Sequence, residues 1–132
     1  MSVVETAAPP AFPCHLLAFD TSTEISSLAL LTPQQTLTID KAGGALASTS
    51  LIPDLRTLLE RGACQLADLD AIAFGCGPGA FTGLRTSCSV AQGLAFGADK
   101  SVLPVDSLML VAETVRQTML SAGADTVWIA QD

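Results

Sequence analysis

The chain has 132 residues, of which 49% are hydrophobic and 14% charged, with a formal net charge of −7. That length fits one domain, and that composition excludes a disordered chain while leaving too few charges to coat every apolar surface, which points to a partner or to a large buried sheet. The acidic balance provides no basic footprint for direct contact with nucleic acid.

The first 13 residues, rich in alanine and proline, read as a disordered segment. They have neither the basic start nor the apolar core of a signal peptide. HLLAFD at 15–20 is an almost wholly apolar run, as in a central strand covered on both faces. SSLALLT at 26–32 and QTLTIDK at 35–41 follow as a hairpin turning at Pro33 and Gln34. After a loop at 42–48, Ser50 is placed to cap a helix over 50–61, with Pro53 in its first turn and Gly62 as its stop. Leu51, Leu55, Leu58 and Leu59 share one face of it. LDAIAF at 69–74 is another buried strand, and GCGPGAFTGLR at 75–85 leads into a helix over 81–96 closed by Gly97. SVLPV at 101–105 is a strand. Ser107 opens a third helix carrying Leu108, Val111, Val115 and Met119, and Gly123 ends it. TVWIA at 126–130 starts a last strand. The pattern is α/β: a mixed five-stranded sheet with helices on both faces. An end so soon after a strand reads as one lobe, over 14–132, without a second.

No stretch reaches the roughly 18 apolar residues of a membrane span. Cys14, Cys64, Cys76 and Cys88 form no C-x-x-C, and His15 is the single histidine, which argues against zinc and for reduced thiols in a cytoplasmic protein.

Two loops are candidates for chemistry. Asp20, Thr21, Ser22 and Thr23 leave the end of the first strand, where α/β sheets gather ligands. They are a candidate nucleotide or phosphate loop, although the same residues make common self-bonded turns. The second loop has Gly77, Pro78, Gly79 and Gly83 as a structural turn, and Thr82 is placed to cap the helix after it. A helix N-terminus suits anions, but no Gly-Lys-Ser/Thr follows, and Ala80 stands where G-x-G-x-x-G needs its third glycine.

The helix after that loop is unusual. Gly83, Ser87, Ala91 and Ala95 recur every four residues as a stripe of small side chains. Leu84, Cys88 and Leu94 lie beside it, and no charged residue occurs between Thr86 and Ala98. A helix without charge is expected to be covered on both long faces, one by its sheet and one by another protein.

LLAFDTSTEISSLALL, the stretch from LIPDLRTLLERG to SVAQGLAFG, and VLPVDSL resemble TsaB, the non-catalytic dimerisation subunit of the bacterial tRNA threonylcarbamoyladenosine biosynthesis machinery. The resemblance runs from Leu16 to Asp132, and its GPGxFTGLR element is highly specific. It implies the ribonuclease H-like, actin-like ATPase fold of the sugar kinase, heat-shock and actin superfamily, as an N-terminal lobe lacking the C-terminal lobe. It places Asp20–Thr23 at that superfamily's first phosphate loop. Two departures are Cys76, where the family has a basic residue, and Ala47, where it often has histidine.

The resemblance also implies pairing with TsaD through helices, and through TsaD with TsaE, with a homodimer when the chain is alone. The expected interface is Leu51, Leu55, Leu58, Phe81, Leu84, Arg85, Ser87, Cys88, Ala91, Gln92 and Ala95. TsaD holds metal through a His-x-x-x-His pair, which one histidine cannot supply. The implied role is therefore a scaffold supporting threonylcarbamoylation of the adenosine next to the anticodon. No cofactor is expected on the chain alone, and ATP only in the complex. The competing reading is an ATP-binding phosphotransferase or ATPase lobe of the same superfold with Asp20 catalytic. Ala91→Glu and Leu84→Arg are expected to abolish association without unfolding the monomer.

Overall fold

The computed structural model describes residues 3–6, 13–118, 126 and 128–130. The strands are β1 (Val4–Thr6), β2 (Leu16–Asp20), β3 (Ile25–Leu31), β4 (Thr36–Ala42), β5 (Ala71–Gly75) and β6 (Ser101–Val105). The helices are α1 (Ala47–Arg61), α2 (Phe81–Ala98) and α3 (Ser107–Thr118). One sheet runs in the order β1-β4-β3-β2-β5-β6. β2, β3 and β4 pair antiparallel, and β5 and β6 join parallel to β2. Five of the six segments read as strands are present, as β2–β6.

β1 is an addition. Val4–Thr6 pairs antiparallel with β4, Val4 opposite Thr38, where the sequence reading expects a disordered segment. Three residues, two of them the β-branched Val4 and Thr6, suffice to lay a strand on the free edge of β4. At the other end, 126 and 128–130 adopt no regular structure, so the described part of 126–130 is not the expected strand. A strand needs a ladder partner, and Trp128 is 93% exposed. Met119 and Gly123 lie outside the described residues.

The period-2 alternation of the strands puts the large side chains on one face. Leu17 lies opposite Leu30 and Ile72, and Phe19 opposite Leu28 and Phe74. Leu28 faces Ile39, and Leu30 faces Leu37. α1 packs on β3 and β4 through Leu51, Leu55 and Leu58, all buried. Each fully buried leucine contributes about 2 kcal/mol. Lys41 of β4 pairs with the buried Asp54 of α1 at 2.6 Å. α2 packs on β5, β2 and β6. Its inward row is Gly83, Ser87, Ala91 and Ala95, so the helix backbone sits close to the sheet.

The other face is small: Ala18, Ala29, Ala73 and Gly75 line a cavity of about 230 Å³ with Asp20, Asp40, Val105 and Leu110. Leu110 brings α3 onto this second face.

Several helix ends differ from the sequence expectation. α1 starts at Ala47 because a 3₁₀ turn, Gly44–Leu46, feeds straight into it. Ser50 is then inside the helix, its hydroxyl without a partner, and Pro53 lies mid-helix rather than in the first turn. The left-handed residue after α1 is Ala63 (φ +49°) and that after α2 is Asp99 (φ +53°). The cap of α3 is Asp106, whose carboxylate accepts from the backbone N–H of Leu108 at 2.8 Å. Asp106 thus takes the role expected of Ser107.

Candidate functional site

The two loops singled out in the sequence leave the C-terminal ends of neighbouring parallel strands, β2 and β5. They are joined to each other by hydrogen bonds, and a pocket of about 290 Å³ between them is lined by Thr21, Thr23, Ala80, Phe81, Thr82 and Gly83. The Ala80 N–H donates to the Ser22 carbonyl at 2.7 Å. The Thr21 hydroxyl donates to the Gly83 carbonyl at 2.6 Å and lies 2.7 Å from the Ser87 hydroxyl. Ser87 also reaches the Gly83 carbonyl, at 3.0 Å, which closes a buried triangle. Gly83 is required there: a Cβ on it would collide with the Thr21 carbonyl oxygen. Gly77 has φ +107°, a conformation that favours glycine, and precedes Pro78 across a cis peptide bond. Gly77 exchanges bonds with Ser107, its carbonyl accepting at 2.9 Å and its N–H donating to the hydroxyl at 3.2 Å. Gly79 lies against Ser22. The glycine turn therefore fixes α2 to β2 and α3 to β5.

This arrangement engages several of the donors that a phosphate would use. Thr21 and Ser22 are buried, and the Ser22 N–H donates to Asp20 Oδ1 at 2.6 Å. Thr23 is exposed, with its hydroxyl turned back to the Ile25 backbone. Asp20 borders both the apolar cavity and a groove of about 530 Å³ beneath α3. The charged side chains lining these two spaces are Asp20, Asp40 and Glu113, all acidic. Glu113 is paired with Arg116 at 2.7 Å, which leaves Asp20 and Asp40 as the charges that disfavour phosphate there. Among the described residues no three His, Cys, Asp or Glu side chains are grouped for a metal.

The expected interface divides in two. Leu51, Leu55, Leu58, Ser87, Ala91 and Ala95 are buried in the chain's own core and present no surface to a partner. The small stripe serves close packing on the sheet. Ala91→Glu would accordingly place a carboxylate in the core, and Leu84, half-buried against Gly77, belongs to the turn. Cys88 is half-buried beside them.

Phe81, Arg85 and Gln92 do face outward, joined by Thr82, Ser89, Gly93 and Phe96. Phe81 is 67% and Phe96 93% exposed. The Arg85 guanidinium lies over the Phe81 ring, 4.0 Å from its centroid. Thr82 is inside the helix and does not cap it; the N-cap is Ala80, with no side-chain hydrogen bond. Ser89 and Gly93 were legible in principle: with Gly97 they form a second small row at four-residue spacing, opposite the first. Among the described residues, no helix is long and apolar enough to cross a membrane.

Residues 44–132 match the family described as TsaD: tRNA N6-adenosine threonylcarbamoyltransferase. The chain is 42% identical over 98 residues to the tRNA threonylcarbamoyladenosine biosynthesis protein TsaB of Haemophilus influenzae, covering 74% of this chain and 42% of that one. To TsaB of Escherichia coli it is 35% identical over 99 residues, covering 75% and 43%. The structure of YeaZ from Pseudomonas aeruginosa superimposes with a TM-score of 0.77 at 43% identity, over 80% of this chain and 49% of that one. The chain thus spans about half the length of the relatives it matches, and its sheet and helices have the actin-like ATPase fold. With two-thirds of its length inside the matched region, the chain belongs to the TsaD family, on the TsaB branch.

Proposed function

We propose that the chain serves tRNA threonylcarbamoyladenosine biosynthesis as a cytoplasmic, non-catalytic scaffold that pairs with TsaD, and through TsaD with TsaE. In that role it supports threonylcarbamoylation of the adenosine next to the anticodon without touching the tRNA. The observation that carries this reading is the outer face of α2. Phe81 and Phe96 stand out into solvent on a helix whose one charged side chain is Arg85. An exposed apolar helix face of this kind is a docking surface. The similarity to proteins named TsaB supports the pathway, and the single histidine supports a role without metal catalysis.

Nucleotide belongs, on this reading, to the complex and not to the isolated chain. The engaged donors of the Asp20–Thr23 loop and the acidic lining beside it favour this over the phosphotransferase alternative. A homodimer in the absence of TsaD would use the same face of α2.

Size-exclusion chromatography with light scattering tests the reading. The chain mixed with purified TsaD from the same organism is expected to elute as a complex. Phe96→Glu should abolish the complex while leaving the circular dichroism spectrum unchanged. A complex that survives the substitution moves the interface off this face, and no complex with the unsubstituted chain removes the scaffold role.

A further inference from the structure

The face of the sheet turned away from α1 and α2 holds an apolar cavity with two carboxylates at its edge. Ala18, Ala29, Ala73 and Gly75 form its floor, and Leu110 of α3 lies over them. Its volume of about 230 Å³ is below the roughly 300–1,000 Å³ of sites for drug-sized ligands. It is above the roughly 150 Å³ at which an apolar cavity takes up benzene. The space therefore suits a body the size of one aromatic ring. Asp20, Ser27 and Asp40 stand opposite one another on β2, β3 and β4, so strand alternation puts all three on this face. All three border the cavity. The two carboxylates flank the serine, each about one strand spacing of 4.8 Å away. The Asp20 carboxylate is turned towards Gly75, where a Cβ would collide with it.

The chain supplies no cation to this pair. Its six basic side chains are all placed elsewhere. Lys41 pairs with Asp54, Arg56 with Glu60 and Arg116 with Glu113. Lys100 donates to the Ala67 carbonyl, and Arg85 lies over the Phe81 ring. Arg61 ends α1, on the opposite face of the sheet. Apolar walls beside uncompensated negative charge select a cation with an apolar body and disfavour an anion of the same shape. We propose that this cavity binds a small protonated amine carried on a ring-sized apolar body, with the ring against Ala29, Ala73 and Leu110 and the ammonium at Asp20 and Asp40. The Ser27 hydroxyl, between the carboxylates, accepts from the same ammonium, which has three donors. The site lies across the sheet from α2 and does not depend on the scaffold reading.

Titration of the whole chain with phenethylamine, followed by NMR of its alanine and leucine methyl groups, tests the site. Shifts should saturate at Ala18, Ala29, Ala73 and Leu110 with a Kd of about 1 mM or tighter, as for a ligand of this size. Hydrocinnamate, an anion of similar shape, should bind about tenfold more weakly or worse. Asp40→Asn should weaken phenethylamine about twofold to fivefold, the range of an exposed charge contact, and leave the neutral phenethyl alcohol unchanged. Ala29→Leu, which fills the cavity, should abolish the shifts at Ala73 and Leu110 while the dichroism spectrum stays that of the wild type. Should Ala29→Leu fail to fold, the comparison of amine with carboxylate and the Asp40→Asn titration decide. Equal affinity for phenethylamine and hydrocinnamate, or wild-type amine affinity in Asp40→Asn, would overturn the proposal. So would shifts confined to other methyl groups, or none at all.

Discussion

The same substitution, glycine to alanine, should have opposite signs at two positions of α2. At Gly93 the added methyl meets nothing within 4 Å, so the helix propensity gain of about 1 kcal/mol is kept whole. At Gly83 the methyl runs into the Thr21 carbonyl oxygen, which is backbone and has no rotamer to change. The first turn of α2 must then back away from the end of β2. Overpacking of this kind costs about 1–3 kcal/mol. The retreat also breaks the buried triangle of Thr21, Ser87 and the Gly83 carbonyl, at about 1–3 kcal/mol for groups left unsatisfied. Against the propensity gain of about 1 kcal/mol, the net loss at Gly83 is about 1–5 kcal/mol. For a chain of this size 1 kcal/mol moves the melting temperature by roughly 4 °C. Thermal unfolding of the monomer, at a concentration low enough to prevent association, should therefore raise Tm by about 4 °C in Gly93→Ala and lower it by about 4–20 °C in Gly83→Ala. A Gly83→Ala protein as stable as wild type would show that α2 is not seated on Thr21. A destabilised Gly93→Ala would show that its outer face is already covered within the chain.

Other perturbations check other parts of the molecule. Lys41→Met should cost about 2 kcal/mol in urea unfolding, below the full value for a buried pair because Lys41 is partly exposed while Asp54 is not; an unchanged midpoint would mean the pair contributes nothing. Burial, and secondarily the charge of Asp68, push the Cys64 thiol up, whereas Cys76 is exposed, so maleimide at neutral pH should label Cys76 first and Cys64 last. The reverse order would contradict the packing around Cys64. Hydrogen bonds from Arg116, then Gln117, lower Glu113 from 4.5 to about 2. A carboxyl depressed in the folded state stabilises fully above its unfolded pKa and loses that contribution as pH falls through its folded one. The Glu113 contribution to α3 should therefore be intact above about pH 4.5 and fade towards pH 2, with the side-chain carboxyl carbon titrating near 2 by NMR.

The core was legible because it is written in two periods. LLAFD and SSLALL alternate large residues that face the helices with residues of the other face, and Leu51, Leu55 and Leu58 repeat at helical spacing. What escaped the reading depends on contacts distant in sequence. Val4–Thr6 is a strand because the edge of β4 is free, which three residues inside an alanine- and proline-rich stretch do not advertise. The start of α1 depends on a 3₁₀ turn anchored by the Gly43 N–H to the Glu24 carbonyl, so Ser50 misled. In α2 a four-residue row of small side chains marks close packing but not its direction. That the row from Gly83 faces the sheet and the row from Ser89 faces out follows from where Thr21 lies, information held in β2 rather than in the helix.

The Asp20–Thr23 loop shows how residues suited to one chemistry can be committed to another. A phosphate site at a strand end works through free N–H groups and hydroxyls around a positive field. Here the N–H of Ser22 goes to Asp20, the N–H of Ala80 goes to the Ser22 carbonyl, and the hydroxyl of Thr21 goes into α2. For phosphate to bind, these bonds would have to be exchanged for contacts made beside acidic side chains, which is unfavourable in both charge and hydrogen bonding. The same bonds have a consequence when no ligand is present. They hold the first turn of α2 against the end of β2 at one angle, and with it the outward row of Phe81, Arg85, Ser89 and Phe96. A docking surface on a single helix is useful only if that helix cannot roll on its sheet. The closed loop meets that requirement, so the residues that look like a ligand site are better understood as what keeps the docking face in position.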